Sequence, residues 1–167
     1  MQQLDKSQQF LADYESFSEA IFRHCFFRVS DREKARDLMQ DTFVKAWQQV
    51  TAGADIKNMR AFLYRVANNL IIDEYRKKKT YSLDQMQEAG FELASQDHLK
   101  IEKIVEGREA LEMLEQLDDK YKEVIIMRYV DDLSPQEIAE VVGESENLVS
   151  VRIHRGLVRL RELVNKV

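Results

Sequence analysis

The sequence predicts an all-α protein made of two small helical domains joined by an acidic linker. Apolar residues recur at steps of three and four over most of the chain, as in helices that bury one face. Five glycines and one proline leave too few turn residues for an all-β protein, which needs a turn roughly every 8–12 residues. The apolar period stops near residue 80 and resumes near residue 100. We therefore expect domains at residues 1–80 and 100–167 and a linker at residues 81–99.

An apolar stripe and a capping signal mark the first two helices. The stripe extends from Phe10 to Phe26 and fits one helix or a helix pair. Ser30 and Glu33 form a capping box, so the second helix should begin near Asp31. Its predicted inward side consists of Ala35, Leu38, Met39, Thr42, Phe43, Ala46, Trp47 and Val50.

Residues 51–57 contain Gly53 and no apolar period, which predicts a loop between the second and third helices. Asn58 can cap the third helix. This helix should end in the basic run at residues 76–79, where cations favour the helix dipole. Its predicted buried residues are Phe62, Leu63, Val66, Ala67 and Leu70.

The second domain should begin with a helical stripe that starts at Ile101. Asp118 or Asp119 can cap the helix that follows. The acidic pairs at residues 118–119 and 131–132 resemble paired catalytic carboxylates, but both lie at predicted helix ends. Capping is the ordinary role of a carboxylate there.

The last two helices have the strongest boundary signals. Ser134 is an N-cap candidate, and Pro135 suits the first helical position. Gly143 suits the left-handed residue that ends this short helix. Ser145 should cap a final helix that reaches about Val164. A short helix, a tight turn and a longer arginine-rich helix predict a helix-turn-helix that can bind DNA, although ordinary helix pairs share this spacing.

The net charge of −5 is distributed unevenly. Residues 1–56 carry −2, residues 57–79 carry +5, residues 80–151 carry −12 and residues 152–167 carry +4. The two basic segments predict two surfaces that contact a polyanion, because local cations determine counterion release. The alternative is two solvated helix faces. The segment at residues 60–69 also mixes aromatic, cationic and amide groups, which can stack on unpaired bases, although its aromatic rings can equally belong to the core.

Several classes of protein are excluded by what the sequence lacks. A single cysteine, Cys25, cannot form an internal disulfide and fits a reducing cytoplasm. The first residues form no apolar leader, and no apolar run approaches a membrane span. A glycine-rich phosphate loop, a nucleophile with a base and a zinc-ligand cluster are all missing. We expect a cytoplasmic protein that is not an enzyme, uses no cofactor or metal and does not insert into a membrane.

Two blocks of the sequence carry a family resemblance. DLMQDTFVKAW at residues 37–47 and RAFLYRVANNL at residues 60–70 resemble region 2 of the sigma-70 family, extracytoplasmic function (ECF) subfamily. Residues 117–129, 133–143 and 149–155 look like region 4 of the same RNA polymerase sigma factors. The resemblance implies a protein that binds core RNA polymerase, directs promoter recognition and initiates transcription. It also implies that an anti-sigma factor can restrain the protein.

The resemblance assigns roles to three sets of residues. Core polymerase would contact an outward row of the second helix, for which a solvated acidic face is the alternative: Asp37, Gln40, Asp41, Val44 and Gln48. Minus-10 DNA would meet the third helix at Arg60, Tyr64, Arg65, Asn68, Asn69, Arg76 and Lys77. The loop at residues 51–57 would capture a flipped base. The minus-35 element would meet the last helix at Asn147, Ser150, Val151, Arg152, His154, Arg155 and Arg159.

The last helix departs from the family pattern. The family usually places a lysine or arginine among the positions that Leu148, Ser150 and Val151 occupy here. This chain has Glu144 and Glu146 nearby, and their carboxylates favour the helix dipole but repel phosphate. They weaken minus-35 binding, or one of them accepts a hydrogen bond from a cytosine amine. Gly156, in the middle of this helix, suggests close packing on the preceding helix.

A stand-alone helix-turn-helix regulator is the alternative function. Such a regulator would need a ligand pocket or a dimer contact in its N-terminal half. The N-terminal half of this chain offers a second basic and aromatic surface and an acidic face instead. The sequence therefore favours a sigma factor.

The domain division predicts the result of limited proteolysis. The interval at residues 81–99 has little apolar surface to bury, so proteases should cut there first. We expect two stable fragments, close to residues 1–80 and 100–167, identified by mass spectrometry. A protected core that spans the interval would contradict the division.

Overall fold

The computed structural model describes residues 2–85 and 105–166, which form helices α1 to α7 and one π-helical turn. The N-terminal half contains α1 (Gln2–Val29), α2 (Arg32–Thr51) and α3 (Met59–Gln85). The C-terminal half contains α4 (Val105–Glu115), α5 (Asp119–Ile125), a π turn (Ile126–Val130), α6 (Pro135–Val142) and α7 (Glu146–Asn165). The all-α prediction is confirmed for the described residues. Ile101 and most of the predicted linker lie outside them.

The N-terminal half packs its three helices around an apolar core. The aromatic rings of α1 and α2 interlock, with Phe10 and Trp47 at 5.0 Å and Tyr14 and Phe43 at 4.8 Å between ring centroids. Deeper in the core, α1 packs against α3, and side chains there, such as Ile21, are fully buried. The apolar stripe of the sequence therefore belongs to one long helix, which starts eight residues before Phe10.

The boundary signals of the N-terminal half are partly corrected by the structure. The N-cap of α2 is Asp31, whose carboxylate accepts from the Lys34 amide, whereas Ser30 lies one residue earlier in a left-handed conformation with φ 56°. The predicted capping box at Ser30 is therefore wrong by one residue. Asn58 accepts from the Ala61 amide, as predicted. Helix α3 continues to Gln85, six residues beyond the basic end that we expected.

The helix-turn-helix has the predicted boundaries. Ser134 caps α6 by accepting from the Glu137 amide, and Pro135 occupies the first helical position. Gly143 ends the helix with φ 72°, a conformation that residues with a Cβ rarely adopt. Ser145 accepts from the Leu148 amide and starts α7.

A π turn follows α5 and precedes the helix-turn-helix. The Asp131 amide donates to the Ile126 carbonyl, and Asp132 takes a left-handed conformation with φ 56°. The extra residue in the turn directs the Asp131 side chain into the protein, where it is 4% exposed. Asp131 is therefore an interior residue and not the solvated cap that its position at a helix end suggested.

The two halves pack directly against each other. Helix α3 contacts α6, and α1 contacts the π turn. Both contacts involve polar side chains, which are described with the functional residues. The structure contains no helix, within the residues it describes, that is long and apolar enough to cross a membrane.

Helix α7 crosses α5 closely at Gly156. The prediction of close packing at this glycine is confirmed, but the partner is α5 and not the preceding helix α6. A Cβ at residue 156 would lie 3.0 Å from Ile125 Cγ1 and 3.4 Å from Tyr121 Cβ. Gly156→Val should therefore lower the free energy of unfolding by about 2 kcal/mol, as overpacked core substitutions do. Urea unfolding will measure it against Ser150→Val, which adds the same side chain at an exposed position of α7.

Gly156→Ala tests the same contact more finely. Alanine gains about 1 kcal/mol of helix propensity over glycine, but its methyl group meets Ile125. Combining it with Ile125→Val, which removes the methyl carbon at 3.2 Å, should relieve part of the clash, because the carbon at 3.0 Å remains as a methyl group of valine. If Gly156→Val is as stable as Ser150→Val, the close contact does not exist in solution.

Candidate polymerase and nucleic-acid interfaces

The outward row of α2 is exposed at every predicted position. These five residues are Asp37, Gln40, Asp41, Val44 and Gln48. On the opposite side, Phe43 and Ala46 are buried against α1 and α3. Val44 is 54% exposed. The row is therefore an apolar spot surrounded by carboxylates and amides and is available to a partner.

The predicted minus-10 residues of α3 divide into two groups. Arg65, Asn69, Arg76 and Lys77 are exposed. Tyr64 and Asn68 are buried, with 2% and 1% of their surface exposed, and Arg60 is half-buried. Arg60 and Asn68 contact the C-terminal half, and Tyr64 packs against His24 of α1, so the structure does not bring all seven residues to one open surface.

Arg60 is held by two groups of the C-terminal half. Its Nη1 donates to Glu137 Oε2 at 3.0 Å, and its Nη2 donates to the Asp131 carbonyl at 2.9 Å. The guanidinium also lies 5.9 Å from the centroid of the Tyr64 ring on its own helix. Both bonded nitrogens are thus occupied by oxygen atoms of the opposite half.

Asn68 belongs to a buried cluster with Arg28 of α1 and Glu123 of α5. Arg28 Nη1 donates to Asn68 Oδ1 at 2.7 Å, and Asn68 Nδ2 donates to Glu123 Oε1 at 3.4 Å. Arg28 Nη2 lies 4.0 Å from Glu123 Oε2. The guanidinium is 1% exposed, so its charge depends on these partners.

His24 and Asp131 form a second buried contact between the halves. His24 Nδ1 donates to Asp131 Oδ2 at 2.5 Å, and both side chains are fully buried. The imidazole also packs edge-on against Tyr64, with 5.4 Å between ring centroids. Burial is the main cause that raises the pKa of the Tyr64 hydroxyl. Tyr64 is therefore held as a neutral core side chain.

The Arg28 carbonyl is a third contact point. Lys122 Nζ of α5 donates to it at 3.1 Å, and the Tyr75 hydroxyl of α3 donates to it as well. Burial, together with the charge of Arg28, lowers the pKa of the Lys122 amine. The charged form of Lys122 is therefore disfavoured at this position.

An open groove lies between α2 and α3 on the side of α3 away from these contacts. It has a volume of about 390 Å³ and is lined by Lys45, Gln48, Phe62, Arg65 and Asn69 among others. Phe62 is half-buried, in agreement with its assignment to the core, and presents part of its ring to the groove. The groove combines cationic, amide and aromatic groups, the set that suits an unpaired nucleotide.

The predicted minus-35 residues lie on the exposed side of α7, with one exception. Asn147, Ser150, Val151, His154, Arg155 and Arg159 are exposed, whereas Arg152 is half-buried. Arg152 Nη2 lies 3.7 Å from Glu144 Oε1, so part of its charge is neutralised within the protein. Arg159 lies 5.8 Å from the centroid of the Tyr121 ring.

Sequence reasoning missed the polar residues that join the two halves. His24 and Arg28 are four residues apart on the buried stripe of α1, where apolar side chains are expected. A histidine and an arginine within such a stripe signal a buried partner, but they do not identify it. Glu123 and Glu137 gave no signal of a partner in the other half, because carboxylates on short helices usually face solvent, and Asp131 was interpreted as a helix cap. Among the described residues, no group of His, Cys, Asp and Glu side chains could hold a metal ion.

Comparison with known proteins finds two family models along the chain. Sigma-70 region 2 matches residues 14–81, and Sigma-70 region 4 matches residues 107–160. The ECF RNA polymerase sigma factor SigW of Bacillus subtilis is 34% identical in an alignment of length 157 that covers 87% of this chain and 83% of that protein. The RNA polymerase sigma factor YlaC of the same organism is 29% identical and covers 92% of this chain and 90% of its own.

Two solved structures have the same fold. The sigma factor RpoE of Bartonella quintana, in complex with the anti-sigma factor NepR, superposes with a TM-score of 0.78 at 22% identity and covers 95% of this chain and 98% of its own. CnrH, in complex with the cytosolic domain of CnrY, gives a TM-score of 0.73 at 24% identity over 96% and 90% of the two chains.

The lowered pKa of Lys122 predicts a pH dependence of stability. The unfolded lysine keeps its proton to a higher pH than the folded one, so the folded state gains stability as pH rises from the folded pKa toward 10.5. Wild type should therefore gain stability relative to Lys122→Met between pH 7 and pH 10. Urea unfolding at both pH values measures the difference, with Lys120→Met, an exposed neighbour, as the matched control. An unchanged difference would show that Lys122 is solvated.

Proposed function

The chain belongs to the sigma-70 family of bacterial RNA polymerase sigma factors, in the ECF subfamily. From this we propose which of its residues bind core polymerase and which bind promoter DNA. It is a sigma factor, a subunit that directs core RNA polymerase to promoters. The resemblance drawn from the sequence is thereby confirmed. The assignment of individual residues to polymerase and DNA is our proposal.

We propose that the outward row of α2 docks on core RNA polymerase. The single observation that carries this assignment is the exposure of all five predicted residues on a helix whose other side is packed. The described structure offers no partner within the chain for Asp37 or Asp41. Two unpaired carboxylates beside an exposed valine suit a partner surface with basic and apolar groups.

Helix α3 is proposed to bind and melt minus-10 DNA. The groove between α2 and α3 supports this role, because Arg65 and Asn69 line it beside the Phe62 ring. An aromatic ring can stack on an unpaired base while the guanidinium binds phosphate. Residues 52–58 connect the two helices at one end of this surface, where a flipped base would be captured.

Helix α7 is proposed to read minus-35 DNA, with weak affinity. His154 and Arg155 are exposed and can reach base edges. The pairing of Arg152 with Glu144 reduces the positive charge near the start of the helix. Weak DNA binding by the C-terminal half suits a subunit that reads promoters together with polymerase.

An anti-sigma factor is the other proposed partner. RpoE and CnrH, which share the fold of this chain, were both solved with a partner protein, named as an anti-sigma factor for RpoE. A protein that covers the α2 row would compete directly with core polymerase.

Transcription with purified components tests the function. The chain should enable bacterial core RNA polymerase to start transcripts from specific sites in a library of promoter-containing genomic fragments. A stand-alone regulator would instead bind duplex DNA tightly without polymerase and start no transcripts. That result would contradict the sigma assignment.

Reversing the charge of Asp41 tests the docking surface. Asp41→Arg should reduce binding to core polymerase at least tenfold, because a reversed charge at a docking face costs several kcal/mol. The melting temperature should change little, since Asp41 is exposed and makes no packing contact. Binding is measured by fluorescence anisotropy of labelled chain.

Two further variants complete this test. Glu15→Arg introduces the same charge change on the exposed side of α1 and should leave binding intact. Trp47→Ala should unfold the N-terminal half, because Trp47 packs against Phe10. Normal binding by Asp41→Arg would place the polymerase surface elsewhere.

A further inference from the structure

We propose that Val151 and Leu148 of α7 recognise the 5-methyl groups of thymine in the minus-35 element, so that this chain selects A·T base pairs at two neighbouring positions by apolar contact. The ligand is duplex DNA that presents thymine methyl groups in its major groove. This inference rests on the proposed role of α7 and names the base that the helix recognises.

Val151 lies in the middle of the exposed side of α7. Its side chain is 37% exposed, although it is apolar. The four residues that surround it on the helix surface, three and four positions away, are also exposed: Asn147, Leu148, His154 and Arg155. The packed side of the helix is formed by residues such as Val149 and Ile153. Val151 is therefore central to any contact that the exposed side of α7 makes.

The chemistry of valine limits what Val151 can recognise in DNA. Its side chain has no hydrogen-bond donor or acceptor, and the apolar group that base edges present in the major groove is the thymine 5-methyl group. A cytosine amine or a guanine oxygen placed against Val151 would lose its partner in water and gain none in the protein. In a helix-turn-helix the first residues of the second helix contact base edges, and Val151 is the sixth residue of α7. Position 151 therefore favours thymine.

Leu148 extends the apolar contact. It is exposed and precedes Val151 by three residues, so the two Cβ atoms are about 5–6 Å apart on the helix surface. Successive base pairs are about 3.4 Å apart along the DNA axis, so two side chains at this spacing can meet methyl groups of neighbouring base pairs. Val151 is also rigid, because a β-branched side chain in a helix strongly prefers one rotamer. Its methyl groups are thus oriented before DNA binds.

The cation next to Val151 in the sequence is restrained by the chain itself. Arginine is the usual partner of guanine, but Arg152 is half-buried and its Nη2 lies 3.7 Å from Glu144 Oε1. His154 and Arg155 are exposed and can supply polar contacts beside Val151. Since Arg152 is held by Glu144, a larger share of the sequence selection falls on the apolar contact.

Deoxyuridine tests the inference, because it differs from thymidine only in the missing 5-methyl group. The DNA is a promoter that the full-length chain and core polymerase use in the transcription assay. Each thymine of its minus-35 element, on either strand, is replaced singly by deoxyuridine in a synthetic duplex, while the rest of the promoter is unchanged. The dissociation constant for the full-length chain bound to core polymerase is measured by fluorescence anisotropy of the labelled duplex.

We expect deoxyuridine at one or two neighbouring thymines to weaken binding about fourfold, the effect of one buried methyl or methylene group. Val151→Ser should bind the thymine duplex more weakly and should not respond to deoxyuridine at one of these thymines. Leu148→Ser should lose the response at the other.

Val158→Ser is the matched control. It makes the same change at an exposed valine on the same side of α7, about 10 Å farther from the start of the helix. This variant should retain both responses to deoxyuridine. Val151→Ile, which keeps the apolar β-branched side chain, should also retain them. A merely structural role of Val151 would change overall affinity but not the response to a single methyl group.

Three results would overturn the inference. One is equal binding of every deoxyuridine duplex by wild type. Another is a response to deoxyuridine that Val151→Ser and Leu148→Ser both retain, or that Val158→Ser loses with them. The third is a set of promoters whose minus-35 elements share no A·T pair. A chain that starts no transcripts with core polymerase contradicts the sigma assignment together with the inference, whereas normal initiation with equal binding of thymine and uracil duplexes contradicts the inference alone.

Discussion

The guanidinium of Arg28 is the group on which the packing of the two halves depends. It is 1% exposed, and a buried charge is costly unless hydrogen bonds and opposite charges compensate for its lost hydration. One partner, Asn68, comes from the N-terminal half, and the other, Glu123, comes from the C-terminal half. The backbone carbonyl of the same residue accepts from Lys122. Arg28 therefore needs the C-terminal half for its charge, and its side chain would be solvated if the halves separated.

This constraint explains why one predicted DNA surface is divided while the predicted polymerase surface is intact. Helix α2 packs mainly against α1 and α3 of its own half, and its outward row is exposed at every position. Helix α3 also meets α6, and Tyr64 and Asn68 lie on the side that makes this contact. The side of α3 that lines the groove, including Arg65 and Asn69, remains open. The accessibility of side chains on α3 thus depends on contacts with both halves, because Tyr64 packs against His24 of α1 and Asn68 bonds to Glu123 of α5.

The sequence was sufficient wherever a feature depends on neighbours within one helix. The caps at Asn58, Ser134 and Ser145, the left-handed Gly143 and the exposed side of α2 all follow from spacing of three or four residues. The α2 cap was misplaced by one residue because a serine and an aspartate stand side by side, and either can accept the capping bond. The contacts of His24, Arg60 and the Arg28 carbonyl could not be predicted from the sequence. Their partners in the C-terminal half lie 71 or more residues away along the chain.

The same C-terminal half can cover one DNA surface and still present another, because its charges are sorted between helices. The carboxylate of Glu137 on α6 points to Arg60 of the N-terminal half, while the cations of α7, such as Arg155, face solvent. The Gly143 turn and the close crossing of α7 over α5 at Gly156 keep these two sides apart. Two of the residues proposed for minus-10 DNA, Tyr64 and Asn68, are therefore buried, whereas most of those proposed for minus-35 DNA are exposed. In this arrangement the exposed residues of α7, such as His154 and Arg155, are accessible to duplex DNA, whereas Tyr64 and Asn68 are not accessible to a nucleotide.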